Sequence, residues 1–278
     1  NFDEFQRRAV EQYGVDYIEV DARQPLNLTF SGSTQTRLMA TDAHSGKYLW
    51  WSNRADESAP RLTRVVDLSE AATAEMSFWA WYHIEEGWDY AYVAVGTTAS
   101  GTIPDDLADP EITWHILGDA SLGCARTNPN SANLGCGLTG SSNGWEQLSA
   151  DLSDFVGQEI AVRFEYITDA AVNQAGLAID DLVVTADGVA IVDEDVEDQD
   201  PAWIAEGFVR HANVLPQRWL VQLIEYGDGG EITVTRLLSG GQTSGEWTLP
   251  LGETAESAVL VISAAAPVTT ESAPYEYS

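Results

Sequence analysis

Short runs of β-branched and aromatic residues, separated by turn-forming residues, dominate this sequence. Gly, Pro, Asn, Asp and Ser clusters bound the runs, which is typical of strands joined by tight turns. Residues 161–166 alternate apolar with charged or polar side chains, as expected for a strand with one buried face. The first nine runs lie at 26–30, 47–52, 62–67, 75–84, 90–97, 112–117, 145–152, 159–167 and 176–185. This series predicts a jelly-roll or β-sandwich domain over residues 26–192.

A second block of strands predicts a smaller β-sandwich domain over residues 201–278. Its runs lie at 203–210, 218–226, 232–238, 246–251 and 258–264. Tyr275 and Tyr277 repeat with period two, so the tail predicts one more strand. Residues 193–200 hold six acids in eight positions. This acidic segment predicts a solvated linker, with a calcium-binding stretch as the alternative.

The lead-in segment, residues 1–25, contains the only helical pattern. Phe5, Val10 and Tyr13 recur at near-helical spacing, two acids lie in the first turn, and Gly14 follows. The pattern predicts a short helix over 3–13. The expected fold class is therefore all-β: a jelly-roll domain with a short N-terminal helix, followed by a smaller β-sandwich domain.

The charge of the chain restricts its partners. Asp and Glu number 44 against 13 Lys and Arg, which gives a formal net charge of −31. Such a field repels phosphate backbones and anionic lipids, so nucleic acid is excluded as a partner. No apolar run reaches the length of a membrane-spanning helix, so we expect no membrane insertion. Because the chain begins at Asn1 rather than Met, we expect a processed or excerpted segment.

Cys124 and Cys136 lie in one Gly/Asn-rich loop. A disulfide is favoured over free thiols, and a metal site is disfavoured because the loop contains no His. The chain-entropy estimate gives such a disulfide about 3 kcal/mol of stabilisation. Oxidised cysteines indicate a secreted or cell-surface protein.

Motifs of catalysis are absent from the sequence. None of the four histidines is followed by Glu, so the zinc-protease signature His-Glu-x-x-His does not occur. A Gly-x-Ser-x-Gly elbow and a Gly-rich phosphate loop are also absent. We therefore predict that this chain is not an enzyme.

Acidic residues beside the aromatic strands are candidate calcium ligands, because calcium prefers six to eight oxygen atoms. Adjacent Asp residues in a strand point to opposite faces, so one of Asp180 and Asp181 would point inward and need a cation or several donors. The alternative is that Asp180 caps a turn and Asp181 faces water. A glycosidase carboxylate pair is a weaker alternative. The candidate ligands are Glu85, Glu86, Asp89, Asp180, Asp181 and Asp56, with Glu57 beside the last.

Aromatic residues are concentrated around the first acidic cluster. Packing in the core is the expected role for most of them, and a sugar-stacking platform is the alternative. The residues are Trp50, Trp51, Trp79, Trp81, Tyr82, Trp88, Tyr90 and Tyr92.

Several ordered motifs resemble one known family. They are SGKYLWWSNR at 45–54, FWAWYHIEEGWDYAYV at 78–93, the Arg-Phe-x-Tyr-x-Thr-Asp pattern at 163–169 and Ile-Asp-Asp at 179–181. They resemble the MAM-like jelly roll that follows the protease domain of secreted immune inhibitor A-like metallopeptidases. The later strands resemble the small β domain that ends such proteins, so the resemblance covers about residues 20–278.

This resemblance implies a jelly-roll fold, secretion and calcium, with ligands among Glu85, Glu86, Asp89, Asp180 and Asp181. The family's hydrolytic activity belongs to an upstream zinc domain that this chain lacks. The disulfide loop is not implied by the resemblance.

The sequence and the resemblance leave two alternative functions open. In the first, the chain is the non-catalytic C-terminal region of such a metallopeptidase, with calcium-stabilised docking to a protein or glycan at a surface. In the second, it is a stand-alone extracellular surface or matrix subunit that assembles with copies of itself into a filament or layer.

Overall fold

The computed structural model describes residues 5–21, 24–198, 202–227, 229–251, 255 and 257–278. The described chain forms two compact units, one of residues Thr41–Asn213 and one of Asn1–Ala40 together with Val214–Ser278. We call them the larger and the smaller unit. All pairs of described strands are antiparallel. Both units are therefore built from turns and non-local strand pairs, as the turn-bounded runs predict.

The strands of the first half are β1 (Gln6–Val10), β2 (Val15–Val20), β3 (Leu26–Gly32), β4 (Gln35–Thr36), β5 (Leu49–Trp51), β6 (Arg61–Asp67), β7 (Ala74–Ile84), β8 (Tyr90–Thr97), β9 (Thr113–Ile116), β10 (Gly140–Ser141) and β11 (Glu146–Asp151). Those of the second half are β12 (Glu159–Ile167), β13 (Gly176–Ala186), β14 (Val189–Glu194), β15 (Ile204–Glu206), β16 (Val209–His211), β17 (Leu215–Pro216), β18 (Trp219–Tyr226), β19 (Ile232–Arg236), β20 (Ser244–Leu249), β21 (Ser257–Ala264) and β22 (Ala273–Tyr277). The described helical turns are the 3-10 segments Ala120–Leu122 and Ser153–Phe155.

The larger unit contains two sheets. One has the order β10-β7-β13-β5-β16, with β11 also on β7 and β14 on β13; the other has the order β15-β6-β12-β8-β9. Alternate residues of β7 and β12 are buried in one apolar cluster, where the rings of Phe78 and Phe164 meet edge to face with centroids 4.8 Å apart. Edge-to-face contacts add to the hydrophobic gain from burying both rings. This unit is the expected β-sandwich.

The smaller unit contains the sheets β1-β22-β3-β20 and β19-β18-β21-β2, together with the short pair β17-β4. Its own apolar cluster includes Phe30, Leu223, Leu260 and Tyr275. Phe30 stacks on Tyr275 with ring centroids 5.8 Å apart. Residues from both ends of the sequence therefore build one core.

The predicted N-terminal helix is wrong. Residues 6–10 form β1, an edge strand paired with β22, and residues 15–20 form β2, paired with β21. Tyr13 lies between them at φ 60°, a turn conformation. The apolar spacing in this segment is short, and pairing with the distant C-terminal strand outweighs a weak local helix preference. Asp3 and Glu4, assigned to the helix's first turn, lie outside the described residues.

The units differ in their boundaries from the sequence-based domains 26–192, 193–200 and 201–278. Strand β3 belongs to the smaller unit, while β15 and β16 pair with β6 and β5 of the larger unit. Asp193 and Glu194 are the last residues of β14 rather than part of a linker. Composition does not report which distant strand a segment pairs with, and this pairing defines the units. Residues 199–201 lie outside the described chain.

Within the described ranges, the helical segments are single short turns. None has the length and apolar character that would let a helix span a bilayer.

Candidate functional site

The turn between β7 and β8 buries a carboxylate. Asp89 is fully buried, and its backbone N–H donates to the Glu85 carbonyl at 3.1 Å, which closes the turn. One oxygen of the Asp89 carboxylate accepts the Asp169 backbone N–H at 2.8 Å, and the other accepts the Tyr166 hydroxyl at 3.4 Å. Burying a carboxylate requires such donors or a cation.

Strand pairing brings a third acid to this turn. Because β12 runs antiparallel to β8, with Ile167 opposite Tyr90, the residues after β12 lie beside those before β8. Carboxylate oxygens of Glu85, Asp89 and Asp169 consequently lie within 4.8 Å of one another. We call these three residues the acidic triad.

The electrostatics of the acidic triad favour a cation. Burial raises the pKa of Asp89 to about 6, the Asp169 amide opposes the rise, and the carboxylates of Asp169 and Glu85 add to it. Burial also raises the pKa of the Tyr166 hydroxyl, so that hydroxyl stays protonated and donates. Among the described residues, no Lys or Arg forms an ion pair with the triad. Three carboxylates this close together are a hard-oxygen donor set of the kind that calcium prefers.

Two other predicted ligands lie beside the acidic triad without joining it. Glu86 is exposed on the same turn. Asp56 is also exposed, and its carboxylate accepts the Asn173 side-chain amide at 2.7 Å. The adjacent Glu57 donates its backbone N–H to the Asp169 carbonyl at 2.6 Å, so this loop supports the segment that carries Asp169.

Asp180 and Asp181 lie elsewhere. Asp180 lies opposite Trp79 on β7. Trp79 is five residues before the end of that strand at Ile84, so Asp180 lies roughly 16 Å along the sheet from the turn between β7 and β8. The register between β13 and β7 shifts between Asp180 and Val183, and Asp181 has φ 45°. This irregularity removes the strict alternation of side chains that the sequence interpretation assumed.

The two aspartates hold a loop. The buried Asp180 carboxylate accepts the backbone N–H groups of His44 and Asp181 at 2.8 and 2.9 Å, and that of Ser45 at 3.2 Å. Asp181 accepts the Ser45 hydroxyl at 2.7 Å and lies 2.5 Å from Nδ1 of His44. Burial raises the pKa of Asp180 to about 6. The Asp180 carboxylate accepts hydrogen bonds from backbone amides, as the turn-capping alternative expects. The Asp181 carboxylate contacts His44 and Ser45 of the loop instead of facing water alone.

The predicted disulfide between Cys124 and Cys136 is confirmed, with Cα atoms 5.2 Å apart. The loop that it closes contacts the turn of the acidic triad, because the Asn130 side chain donates to the Gly87 carbonyl at 3.1 Å. Just after the loop, the Thr139 hydroxyl accepts the Gly87 N–H at 3.0 Å and donates to the Glu85 carbonyl at 3.1 Å. The disulfide-closed segment thus braces the turn.

Most of the aromatic residues pack inside. Trp51, Trp81, Tyr82, Tyr90 and Tyr92 are buried. The half-buried Trp79 ring stacks against His44 with centroids 3.8 Å apart. Trp88, at 45% exposure, is the most open of the group. Most of these aromatic side chains therefore pack in the core, as expected, and do not form an open sugar-stacking platform.

Asp169 is the member of the acidic triad that the sequence interpretation missed. It follows an alternating strand and ends the motif at 163–169, but sequence alone does not reveal which turn lies across from it. The register of β12 on β8 supplies this information.

The larger unit is thus an antiparallel β-sandwich module in which a disulfide-closed loop braces an acidic turn. The family described as "Immune inhibitor A-like, MAM domain" matches residues 32–213, well over half of the sequence. The chain belongs to this family.

Two curated relatives agree with this assignment. The pre-pro-metalloprotease PrtV of Vibrio cholerae serotype O1 (strain M66-2) is 29% identical over 144 residues, which are 51% of this chain and 14% of that protein. Immune inhibitor A of Bacillus thuringiensis subsp. alesti is 29% identical over 167 residues, which are 59% of this chain and 21% of that protein. The similarity therefore spans only a small part of either relative.

Proposed function

We propose that this chain is a non-catalytic accessory region of a secreted metallopeptidase, which docks to protein or glycan at a surface and is stabilised there by calcium. The match to the MAM domain over residues 32–213 carries the proposal. One relative is named a metalloprotease, and the match covers 14% of it, so the similarity concerns an appended module rather than the bulk of that protein. The absence of His-Glu-x-x-His in this sequence supports the same assignment.

Calcium is the cofactor that the acidic triad supports best. Glu85, Asp89 and Asp169 offer carboxylate oxygens within 4.8 Å of one another, which are the hard donors that calcium prefers. At net charge −31, a divalent ion also relieves repulsion locally. Glu85 and Asp169 would bind from the rim, and Asp89 from the buried side.

A binding experiment tests the docking role. Purified chain is applied to an immobilised protein substrate such as casein and to a glycan array, in calcium and in chelator. We expect calcium-dependent retention that Asp89→Asn abolishes. Glu86→Gln is the matched control, because Glu86 lies on the same turn, is exposed and stays outside the triad. Absence of binding on both surfaces in calcium contradicts the docking role.

A second assay tests the non-catalytic role. The same chain is incubated with azocasein, with and without a zinc chelator, and we expect no chelator-sensitive hydrolysis. Such hydrolysis by homogeneous protein, scaling with its concentration, would show that the chain is itself a peptidase.

A further inference from the structure

The smaller unit has a sheet face with an unusual composition. In the sheet β19-β18-β21-β2, Leu223 and Leu260 point into the core. Their sequence neighbours Ile224 and Val259 therefore point to the opposite face. We call this opposite side the outer face. Register places Val234 beside Ile224, and Tyr17 beside Val261, on the same outer face.

The outer face leaves large apolar side chains in solvent. Tyr17 is 69% exposed, Ile232 60%, Val234 56% and Val15 42%. Val234 lies beside the half-buried Ile224, which is opposite the half-buried Val259, and Tyr17 lies beside the buried Val261 of the same strand as Val259. Apolar side chains therefore occur on the outer face of all four strands. Single exposed apolar residues are ordinary, but contiguous patches of this kind mark interaction surfaces.

The outer face carries fewer charged residues than the composition of the chain would suggest. The sequence has 44 acids and 13 Lys and Arg, yet the outward residues of these four strands include one acid, Glu19, and one base, Arg236. A basic partner would be attracted to other surfaces of this acidic protein before this one. Two copies can therefore approach through the outer face with little charge repulsion.

The two charges lie at opposite edges. Arg236 is on edge strand β19, in the row that continues through Gln222 and Val261 to Tyr17. Glu19 is on edge strand β2, one outward row away from Tyr17. A two-fold axis parallel to the strands lays β19 of one copy over β2 of the other. Arg236 of each copy then lies above Tyr17 and beside Glu19 of its partner. The two-fold axis makes this contact occur twice in each dimer.

We propose that the occupant of the outer face is a second copy of this chain, packed sheet to sheet, with two Arg236–Glu19 pairs across the contact. The aliphatic rows supply the buried apolar surface, and the Arg236 guanidinium also covers the Tyr17 ring. Such an isologous contact closes on itself and yields a dimer rather than a filament. This inference is independent of calcium and of docking to a substrate.

Charge reversal tests the proposal. Sedimentation velocity on the full 1–278 chain, from about 1 to 200 µM, should show a concentration-dependent dimer. Arg236→Glu alone and Glu19→Arg alone should each weaken the dimer about tenfold or more, since each places like charges opposite one another. The double variant should recover the wild-type dissociation constant. Arg7→Glu, at an exposed position on β1 of the other sheet of this unit, is the matched control and should leave the dimer unchanged.

The double variant also guards against misfolding, because a variant that has lost its fold would not regain dimerisation through a second charge reversal. Circular dichroism and a thermal melt accompany each sample. A chain that stays monomeric at the highest concentration would overturn the proposal. So would a dimer indifferent to either reversal, or a double variant no tighter than the single ones.

Discussion

The backbone N–H of Asp169 donates a 2.8 Å hydrogen bond to the buried carboxylate of Asp89, 80 positions earlier in the chain. This bond joins the segment after β12 to the turn before β8 and places the Asp169 carboxylate in the acidic triad. The triad therefore depends on the packing of two strands rather than on one loop, so the proposed binding of calcium there would be coupled to the stability of the larger unit.

Calcium should raise the melting temperature of the wild-type chain. Binding to the native state alone stabilises by about 2.7 kcal/mol at one hundred times Kd, which corresponds to about 5 °C or more for a domain of this size. Asp89→Asn should lose most of this gain, while Glu86→Gln should keep it. Differential scanning calorimetry in calcium, against sodium chloride of matched ionic strength, separates binding from screening. Equal shifts with the two salts would argue against a site at the triad.

Asp180 should make the calcium-free protein less stable as pH rises from about 4 to 6. Its folded pKa is raised to about 6 by burial, above the ordinary value of 3.8, so in this window the native state holds a proton that the unfolded state has released. The loss is on the order of 1–3 kcal/mol and is complete above the folded pKa. Burial also raises the pKa of Asp89 to about 6, so Asp89 makes the stability fall over the same pH range.

Urea denaturation in chelator at several pH values measures this dependence. Asp180→Asn should flatten the slope between about pH 4 and 6, and it should also lower stability because one amide oxygen replaces two acceptors for the loop amides. Asp154→Asn, on an exposed helical turn, serves as the control. An unchanged slope in Asp180→Asn would exclude this residue as its source.

The disulfide should stabilise the larger unit and tighten calcium binding. Replacing Cys124 and Cys136 with Ser should cost about 3 kcal/mol, because the unfolded chain regains the entropy of an open loop. Calcium affinity should also fall, since Asn130 of the loop contacts the turn at Gly87. Urea denaturation measures the loss of stability, and calorimetric titration measures the calcium affinity. Wild-type calcium affinity in the double Ser variant would show that the loop does not brace the site.

Phe164→Ala should be among the most destabilising single changes in the larger unit, at about 3–5 kcal/mol. The side chain is 1% exposed and packs on Phe78. Val189→Ala, at a residue 66% exposed, should change stability by less than about 0.5 kcal/mol. Guanidinium unfolding followed by tryptophan fluorescence compares the two. A small effect of Phe164→Ala would mean that the ring contact contributes little.

The sequence by itself determined the elements that rest on local pattern. Turn-bounded runs located most of the longer strands within a few residues, because period-two alternation and turn residues act over short distances. They missed β1, β2 and β14 and the two-residue strands β4, β10 and β17. The disulfide also followed from local information, since Cys124 and Cys136 share a loop that Gly and Asn allow to close. Glu85 and Asp89 were found for the same reason, as acids on one short turn.

Only the tertiary structure decided what depends on pairing between distant segments. The N-terminal residues form β1 and β2 because they pair with β22 and β21. Asp169 joined Glu85 and Asp89 through the register of β12 on β8, while the irregularity in β13 directed Asp180 and Asp181 to the His44 loop. Backbone hydrogen bonds in sheets connect residues at any sequence separation, so local composition carries little information about which strands meet.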